Sequence, residues 1–312
     1  MNSANNSNSN EKALEVRTHD IPIADAMTEF MKIGWAPSPL TGVKPHPSIP
    51  FTKIRRERLS KQYPGIRLIF PSGSLKVRSN DSDYPFRAHS AYSWFTGIIS
   101  LDCVPDSLFV MEPNGSGHDA LLFIHPRSPR DSDEFYKNAR HGEFWIGRRM
   151  TLEETETKYG LKTEKIESIE EFLANKKDTL IIRGEDKHID GLVAENEEKE
   201  KEFLNFTSLM RIVKDQYEID EMQKAIDVSV RGFADMIRVF PAAISVPRGE
   251  RVIESAFYGR ARLEGNDLGY PSIVASGAHA CVLHWIKNDG DVLPGDLILI
   301  DAGVEVESHY TA

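Results

Sequence analysis

The stretch GDLILIDAG, residues 295–303, begins at a turn and places a carboxylate directly after an apolar run. Its four consecutive apolar residues, 297–300, predict a strand that is buried on both faces, and Asp301 follows that strand. A carboxylate at the end of a buried strand loses hydration, so it needs a cation, a set of hydrogen bonds or a proton. Taken alone, the DAG sequence favours an ordinary turn in which Asp301 accepts hydrogen bonds from nearby amides, and a metal site requires further residues.

The segment CVLHW, residues 281–285, supplies a second candidate upstream. We expect it to be a strand that places His284 between apolar neighbours, where the contacts of the imidazole set its pKa and tautomer. Taken alone, this pattern favours a core histidine with satisfied hydrogen bonds. Downstream, Glu305 and Glu307 alternate with valines, so we expect both to point to solvent. The histidines lack HxxxH and HExxH spacing and the glycines form neither GxGxxG nor a Walker loop, which argues against a zincin and a nucleotide-binding site.

Two predicted helices precede these segments. An amphipathic helix that Pro241 should end is indicated by apolar residues at three- to five-residue steps, namely Tyr217, Met222, Ile226, Phe233 and Ile237. A second helix, RGERVIESAFYGRARLEG (248–265), follows a proline and stops at a glycine. The run YPSIVAS (270–276) is then predicted to form a strand, so this half of the chain combines helices with strands.

Four apolar runs predict strands in the first half of the chain, namely GIRLIF (65–70), SLFVM (107–111), ALLFIH (120–125) and DTLIIR (178–183). The turn formers EPNGSGHD separate the second run from the third, which indicates a hairpin or neighbouring strands. Helical patterns lie between the strands. One of them opens with Thr151 and Glu154 in capping-box spacing, and Gly160 can end it. The alternation predicts an α/β domain.

At 312 residues the chain is longer than a single hydrophobic core usually serves, so we predict two domains after a tail. Residues 1–13 are rich in asparagine and serine and are predicted to be disordered. The α/β domain is assigned to residues 14–195 and the second domain to residues 205–312. The charged run AENEEKEKEF (194–203) marks the junction as a boundary or a solvated helix.

The overall charge restricts the partners. With 48 acidic against 38 basic side chains, the net charge of -10 disfavours a surface that binds phosphates or anionic lipid, so we expect neither nucleic acid nor a membrane as partner. No apolar run approaches the roughly 18–20 residues of a membrane span, and the N-terminus lacks the order of a secretion signal, so we expect a cytoplasmic protein. Cys103 and Cys281 are far apart without CxxC spacing, and we expect both to be buried apolar residues.

Five segments together resemble the Xaa-Pro aminopeptidases of the creatinase/prolidase family of metallopeptidases. They are RSNDSDYPFRAHSAYSWFTG (78–97), FWIGRRM (144–150), VKDQYEIDEMQKA (213–225), YPSIVASGAHACVLHW (270–285) and GDLILIDAG (295–303). The resemblance covers nearly the whole chain from about residue 50, in order. It implies an α/β N-terminal domain of the creatinase/aminopeptidase P type, followed by the first half of an α+β pita-bread catalytic domain. The resemblance therefore implies truncation within the catalytic domain.

The resemblance also implies a metal site. The family holds two divalent ions, usually Mn²⁺, with two aspartates, one histidine and two glutamates, and such a pair activates a water molecule. Asp301 takes the place of the first aspartate ligand, and His284 that of the active-site histidine that contacts substrate or assists proton movement. The second aspartate would follow ESHYTA, residues 307–312, in a motif resembling DITRT, and the other three ligands belong to the second half of the catalytic domain. We therefore expect this chain alone not to retain the metal pair, to be inactive, and to expose apolar surface that favours self-association.

The implied substrates are proline-containing peptides, from which the family releases an N-terminal residue that precedes proline. The resemblance further implies a homo-oligomer, in which a tryptophan of a neighbouring subunit can shape the site. Ser93 aligns with that tryptophan and Trp94 lies one position later, so the role is not transferred to Trp94. Two alternatives stay open. One is prolidase, an Xaa-Pro dipeptidase, and the other is a non-catalytic pita-bread module that binds proteins, as in some histone chaperones.

Overall fold

A mixed five-stranded sheet organises the first half of the chain in the computed structural model, which describes residues 24–80 and 82–312. The helices and strands of this half are α1 (Asp25–Met31), α2 (Ile49–Gln62), β1 (Arg67–Pro71), β2 (Val77–Ser79), β3 (Ser82–Asp83), α3 (Ser90–Thr96), β4 (Leu108–Pro113), β5 (His118–Ile124), α4 (Asp133–Lys137), α5 (Glu143–Ile146), α6 (Leu152–Tyr159), β6 (Lys162–Lys165), α7 (Ile169–Ala174), β7 (Thr179–Ile181), α8 (Lys187–Leu192) and α9 (Glu197–Met210).

The strand order of this sheet is β6-β5-β4-β1-β7. Strand β4 is antiparallel to both β1 and β5, whereas β6 and β7 run parallel to their neighbours at the two edges. The four apolar runs predicted to be strands are confirmed as β1, β4, β5 and β7, and β4 with β5 forms the expected hairpin. The sequence prediction of an α/β domain is therefore confirmed for this half.

Both faces of the sheet are covered, which explains why β1 is apolar at consecutive positions. Leu68 and Phe70 belong to one buried cluster, where Phe70 lies 4.9 Å from Phe95 between ring centroids. Ile69 belongs to a second cluster together with Val110. Successive side chains of a strand point to opposite faces, so a run with no polar residue is needed to fill two cores.

Local sequence determines α6 as predicted. The side chain of Thr151 accepts a hydrogen bond from the amide of Glu154, and the Glu154 carboxylate accepts one from the amide of Thr151. This reciprocal capping box satisfies amides that have no partner inside the helix. At the other end Gly160 has a φ of 63°, a left-handed conformation that favours glycine.

The second half combines two long helices with short strands. Its elements are α10 (Gln216–Ile244), α11 (Gly249–Glu264), β8 (Asp267–Leu268), β9 (Ile273–Ser276), β10 (Ile298–Asp301) and β11 (Val304–Glu305). Strand β10 pairs with β9 and β11 pairs with β8, both antiparallel. These elements enclose a separate buried cluster that includes Met236, Phe257 and Val274.

The predicted apolar face of α10 is partly wrong. Ile226 and Ile237 are 43% and 62% exposed. The face that packs on α11 contains small residues, because a Cβ at Gly232 would lie 2.6 Å from the ring of Phe257. Small side chains let the two helix backbones approach closely, and hydrophobic periodicity overlooks residues of this kind.

The prediction that Pro241 ends α10 is also wrong, since the helix continues to Ile244. Proline removes one backbone hydrogen bond of the helix. Here that loss falls in the last turn, and Ala243 beyond the proline is fully buried in the core of the second half. Packing therefore maintains the helix past a residue that would otherwise end it.

Strand β10 is covered on one face, which corrects the prediction of burial on both faces. Leu297 and Leu299 are 84% and 42% exposed, whereas Ile298 and Ile300 pack against the core of the second half. Within the described residues β9 is the only strand that pairs with β10. The expected exposed apolar surface is present, and whether it favours self-association stays a prediction.

The charged junction is only partly solvated. Helix α9 begins at Glu197 with Asn196 as its cap, and it belongs to the core of the first half through Phe203. Glu200 is buried and binds Arg183 at 2.6 Å. The domain bounds 14–195 and 205–312 remain predictions, and the tail 1–13 lies outside the described residues.

Two further predictions concern the cysteines and the membrane. Cys103 is buried, and burial raises the pKa of its thiol to about 12. Cys281 is exposed, which corrects the expectation that both are buried, because it lies at the end of a surface 3₁₀ turn and not in a strand. In the part of the chain that the structure describes, the helices are too short or too polar to cross a membrane.

The two halves meet at a buried carboxylate, Glu218, near the start of α10. Its Oε1 accepts hydrogen bonds from Trp94 Nε1 at 2.9 Å and from the Tyr310 hydroxyl at 3.0 Å. Its Oε2 accepts from the amide of Asp215 at 3.0 Å and lies 3.6 Å from the guanidinium of Arg55. One side chain thus connects α2 and α3 to both ends of the second half.

We predict that Glu218→Ala lowers the free energy of unfolding by about 3 kcal/mol, because it removes one member of a buried charged network and leaves Trp94 and Tyr310 without their acceptor. Urea unfolding followed by circular dichroism measures the change. Glu202→Ala, at an exposed position of α9, is the matched control and should change stability by less than about 0.5 kcal/mol. Equal effects of the two substitutions would contradict the assigned role of Glu218.

Candidate active site

Asp301 lies at the end of β10, opposite Ile273 on β9. Its side chain is exposed, so the argument that burial alone demands a cation does not hold here. The hydroxyl of Tyr270 lies close to this carboxylate. Partial burial and the nearby carboxylate of Asp301 together raise the pKa of Tyr270 to about 12. Asp301 is therefore an accessible carboxylate at a strand end, with one neutral donor beside it.

His284 lies in a turn, which corrects the prediction that it belongs to a strand. Residues 277–281 form a 3₁₀ turn, and the chain then continues through turns to residue 287. Val282 and Leu283 are 47% and 86% exposed, so they do not cover the imidazole, and His284 is itself exposed. Apolar side chains in the sequence indicated burial, but within the described residues no element packs over this segment. No hydrogen bond joins His284 to Asp301 there.

The described residues do not form a metal centre. Among residues 24–80 and 82–312, no three histidine, cysteine, aspartate or glutamate side chains are close enough to bind one ion. A dinuclear site needs several carboxylate and imidazole donors around two ions. The donor set of the described residues does not fit such a group.

A buried glutamate organises the segment that carries His284. Glu250 is fully buried in the first turn of α11. Its Oε1 accepts from the amide of Ser276 at 2.8 Å and lies 2.9 Å from His279 Nδ1. Its Oε2 accepts from Trp285 Nε1 at 2.8 Å and from the amide of Gly290 at 2.7 Å. Both ends of the segment 276–290 are thus bound to one carboxylate.

Ring stacking completes this arrangement. The rings of His279 and Trp285 lie 3.8 Å apart at an interplanar angle of 20°. A Cβ at position 290 would lie 2.6 Å from the His279 ring, so only glycine fits there. Sequence reasoning missed Glu250. An acidic residue in the first turn of a helix is common, and its presence does not indicate which amides will donate hydrogen bonds to it.

Burial alone would raise the pKa of Glu250, but the four hydrogen bonds, led by that from Ser276, stabilise the ionised form and bring the pKa below its ordinary value of 4.5. A depressed pKa means that ionised Glu250 stabilises the fold above about pH 4.5. That contribution is lost as the pH falls through the lower pKa of the folded state.

Glu305 corrects another expectation, because it is buried and not directed to solvent. It lies 3.1 Å from the guanidinium of Arg87 and 3.3 Å from His309 Nδ1, and it accepts from Asn266 at 3.1 Å. Burial alone would raise its pKa, but the hydrogen bonds from His309 and Arg87 lower it. The alternation with valines predicted an exposed Glu305 because it assumed a longer strand with one face in solvent. Strand β11 contains only two residues, and both are buried. Glu307 is exposed, as expected.

Trp94 is 6% exposed and donates to Glu218 within its own chain. Its indole N–H is therefore occupied at the junction between the two halves. Ser93, which aligns with the site-shaping tryptophan of the family, lies beside it and also faces this junction.

We predict that Glu250→Gln lowers the free energy of unfolding by about 2 kcal/mol at pH 7, because a neutral amide accepts hydrogen bonds less strongly than a carboxylate. The difference from the unsubstituted chain should start to shrink as the pH falls below 4.5, and it should be lost as the pH passes through the lower pKa of Glu250 in the folded state. Urea unfolding at a series of pH values measures this. Glu254→Gln, one turn along the same helix, is the control and should show no such pH dependence. A Glu250→Gln difference that stays constant below pH 4.5 would contradict the assignment.

Comparison with protein families identifies both halves. Residues 52–182 match the aminopeptidase P N-terminal domain, and residues 220–312 match metallopeptidase family M24. The first range contains the five-stranded sheet, and the second extends from the first turns of α10 through β11. Asp301 and His284 both fall within the second range.

Curated relatives agree with these matches. Xaa-Pro aminopeptidase 1 of Streptomyces coelicolor is 42% identical over 293 residues, which are 93% of this chain and 58% of that protein. Xaa-Pro aminopeptidase 2 of the same organism is 43% identical over 289 residues, 92% of this chain and 60% of that protein. The Xaa-Pro aminopeptidase of Haemophilus influenzae is 30% identical over 270 residues, 83% of this chain and 58% of that protein.

Solved structures show the same fold. The low-pH form of Escherichia coli aminopeptidase P superposes with a TM-score of 0.66 at 24% identity, covering 84% of this chain and 60% of that chain. Proline aminopeptidase P II from Yersinia pestis gives a TM-score of 0.65 at 24% identity, covering 82% and 59%. The chain spans about 58% of the length of Xaa-Pro aminopeptidase 1. It belongs to the Xaa-Pro aminopeptidase group of metallopeptidase family M24, with an aminopeptidase P N-terminal domain followed by part of the M24 catalytic domain.

Proposed function

We propose that this chain contributes to an Xaa-Pro aminopeptidase, which releases an N-terminal residue that precedes proline from a peptide. The observation that carries the proposal is 42% identity over 93% of the chain to a protein named for that activity. Proline-containing peptides are the proposed substrates. Hydrolysis before proline needs a dedicated pocket, because the ring changes the shape of the peptide and removes an N–H donor.

Within this proposal, Asp301 is one carboxylate ligand of a divalent metal and His284 is a histidine that faces the substrate. Three features support the assignment. Asp301 is accessible at the end of β10, and among the described residues no cation binds it. His284 is accessible on a segment whose two ends are fixed by Glu250. Both side chains can therefore meet a group that approaches from outside the described fold.

The metal is proposed to be Mn²⁺, bound as a pair when all ligands of the family are present. Oxygen-rich donor sets favour hard divalent ions such as manganese. Because the described residues do not gather three donors, we propose that this chain alone does not retain the pair and is inactive. A cytoplasmic location and a homo-oligomeric state are also proposals.

The two alternatives have less support. A dipeptidase or a non-catalytic binding module would fit the fold equally well, since fold alone does not determine function. The curated relatives named above are all Xaa-Pro aminopeptidases, and two of them exceed 40% identity over more than 90% of this chain. Neither alternative is favoured by a feature of the described residues.

We predict that the purified chain, supplied with MnCl₂, does not release arginine from Arg-Pro-Pro above the level of its Asp301→Ala variant. A single carboxylate competes poorly with water for a divalent ion, so no metal pair should form. Chromatographic detection of free arginine measures the rate, and metal analysis after gel filtration measures retention. Turnover that disappears in Asp301→Ala would show that the chain is sufficient by itself.

A chimaera tests the proposed function directly. This chain replaces the aligned 293 residues of the Streptomyces coelicolor enzyme, so the remainder of that enzyme supplies the rest of the catalytic domain. We expect the chimaera to cleave Arg-Pro-Pro but not Arg-Ala-Pro. Asp301→Asn should lower its kcat/KM by about 100-fold or more, since loss of groups that support a metal already costs about 10- to 100-fold.

Glu307→Gln is the matched control, because Glu307 is an exposed acid near Asp301 in sequence and should leave activity unchanged. A folded chimaera that cleaves neither peptide, tested beside the active parent enzyme, would contradict the proposed function. A chimaera that cleaves Arg-Pro-Pro equally well with Asn at position 301 would contradict the role of Asp301 alone.

A further inference from the structure

A cavity of about 200 Å³ lies at the junction between the two halves. Its walls come from α2 and α3 of the first half, from the turn before α10, and from the segment around His309. This volume is below the range of about 300–1,000 Å³ that is typical of pockets for drug-sized ligands. The cavity therefore suits a small molecule or one end of a larger one.

The cavity carries excess positive charge, in contrast to the net charge of -10 of the whole chain. The basic side chains that line it are Arg55, Arg87, Arg211 and Lys214. The lining contains one carboxylate, that of Glu218. An anion that enters the cavity would therefore meet more cations than it does elsewhere on this acidic protein.

Two of the four cations are neutralised. Arg55 lies 2.7 Å from Asp215 and 3.6 Å from Glu218, and Arg87 lies 3.1 Å from Glu305. Arg211 and Lys214 have no carboxylate within 4.0 Å among residues 24–80 and 82–312.

Arg211 and Lys214 nevertheless stand close together. The ammonium of Lys214 donates to the carbonyl oxygen of Arg211. Glu218 is near enough to raise the pKa of Arg211, but burial is the larger effect and lowers it. Two neighbouring cations without a paired anion are left at the cavity.

Hydrogen-bonding groups at the cavity are also unsatisfied. Within the described residues, Arg211 Nη1, Ser93 Oγ and His309 Nε2 are buried and have no hydrogen-bond partner. The side chain of His309 is only 7% exposed, and its other ring nitrogen faces Glu305 at 3.3 Å. Buried polar groups without a partner are unfavourable and uncommon, so the two unpartnered donors, Arg211 Nη1 and Ser93 Oγ, point to a missing acceptor at the cavity.

Part of the lining is apolar. Trp94, Ile98 and Ile99 contribute it, and the Trp94 ring lies 4.6 Å from the guanidinium carbon of Arg55. Inorganic phosphate, which is polar on all sides, would leave this part without a matching surface. A carboxylate attached to a short hydrocarbon group matches both parts of the lining, because guanidinium groups bind carboxylates in a planar, charge-assisted geometry.

We propose that this cavity is a binding site for a small organic carboxylate, whose carboxyl group binds Arg211 and Lys214 and whose apolar group contacts Trp94 and Ile98. The site is separate from Asp301 and His284 and does not depend on the proposed peptidase activity. Binding of the ligand supplies acceptors that the folded chain lacks at the junction.

Saturation-transfer difference NMR with butyrate on the purified chain tests the proposal, at constant ionic strength. Butyramide, the neutral isostere, and inorganic phosphate, measured by ³¹P line broadening, are the comparison ligands. We expect saturable binding of butyrate and none of butyramide. Arg211→Gln should weaken butyrate binding about tenfold, the effect of losing one charge-assisted hydrogen bond.

Lys214→Gln is a second variant at an exposed position, so its effect on binding can be measured even if Arg211→Gln does not fold. Arg58→Gln is the matched control, because Arg58 is an exposed arginine of α2 outside the cavity. The control should bind butyrate as the unsubstituted chain does.

Several results would overturn the proposal. Equal binding of butyrate and butyramide would show that the carboxylate is not recognised. Binding that survives both Arg211→Gln and Lys214→Gln, or that Arg58→Gln weakens equally, would place it elsewhere. Phosphate binding without butyrate binding would show an inorganic anion site, and the absence of any saturable butyrate signal would exclude the site.

Discussion

This structure depends on buried carboxylates whose oxygens accept several hydrogen bonds. One lies between the two halves of the chain, and another lies beneath the segment 276–290. Glu218 connects the two halves through Trp94, Tyr310 and Arg55. Glu250 fixes both ends of the segment 276–290. Removing such a group from water is costly, and the cost is offset only when every oxygen has its partners. These two acids therefore specify one arrangement of the chain, because other arrangements would leave them unpaired.

Sequence patterns predicted the first half well, because its strands combine local propensity with burial on two faces. Leu68, Ile69 and Phe70 are consecutive apolar residues that fill the cores on the two faces of the sheet, and β4 and β7 pair with their strand at its two edges. The capping box of Thr151 and Glu154 formed because its partners are three residues apart. In such elements the determining contacts are either local or follow from a simple period, so the sequence contains enough information.

The second half was predicted less well, for a different physical reason in each case. Leu297 and Leu299 lie in an apolar run, but the burial of a strand depends on elements that cover it, and one face of β10 is uncovered in the described residues. Gly232 shows the opposite error, in which a buried position was overlooked. It has no side chain and therefore no hydrophobic signal, yet it lies where α10 packs closely on α11. For His284, apolar neighbours suggested a strand, whereas Glu250 and the stacked ring of Trp285 hold its segment in turns.

Comparison of the acids in the second half explains why Asp301 stays the best candidate ligand although its predicted burial was wrong. Glu218, Glu250 and Glu305 are buried and already accept hydrogen bonds from internal donors on both oxygens, so an incoming ion would compete with contacts that hold the fold. Asp301 is accessible and has one neutral donor, the hydroxyl of Tyr270. A metal ligand must exchange water for metal without losing a partner on which the fold depends. By that criterion exposure at a strand end favours Asp301, and the resemblance of GDLILIDAG to the family indicates the same residue.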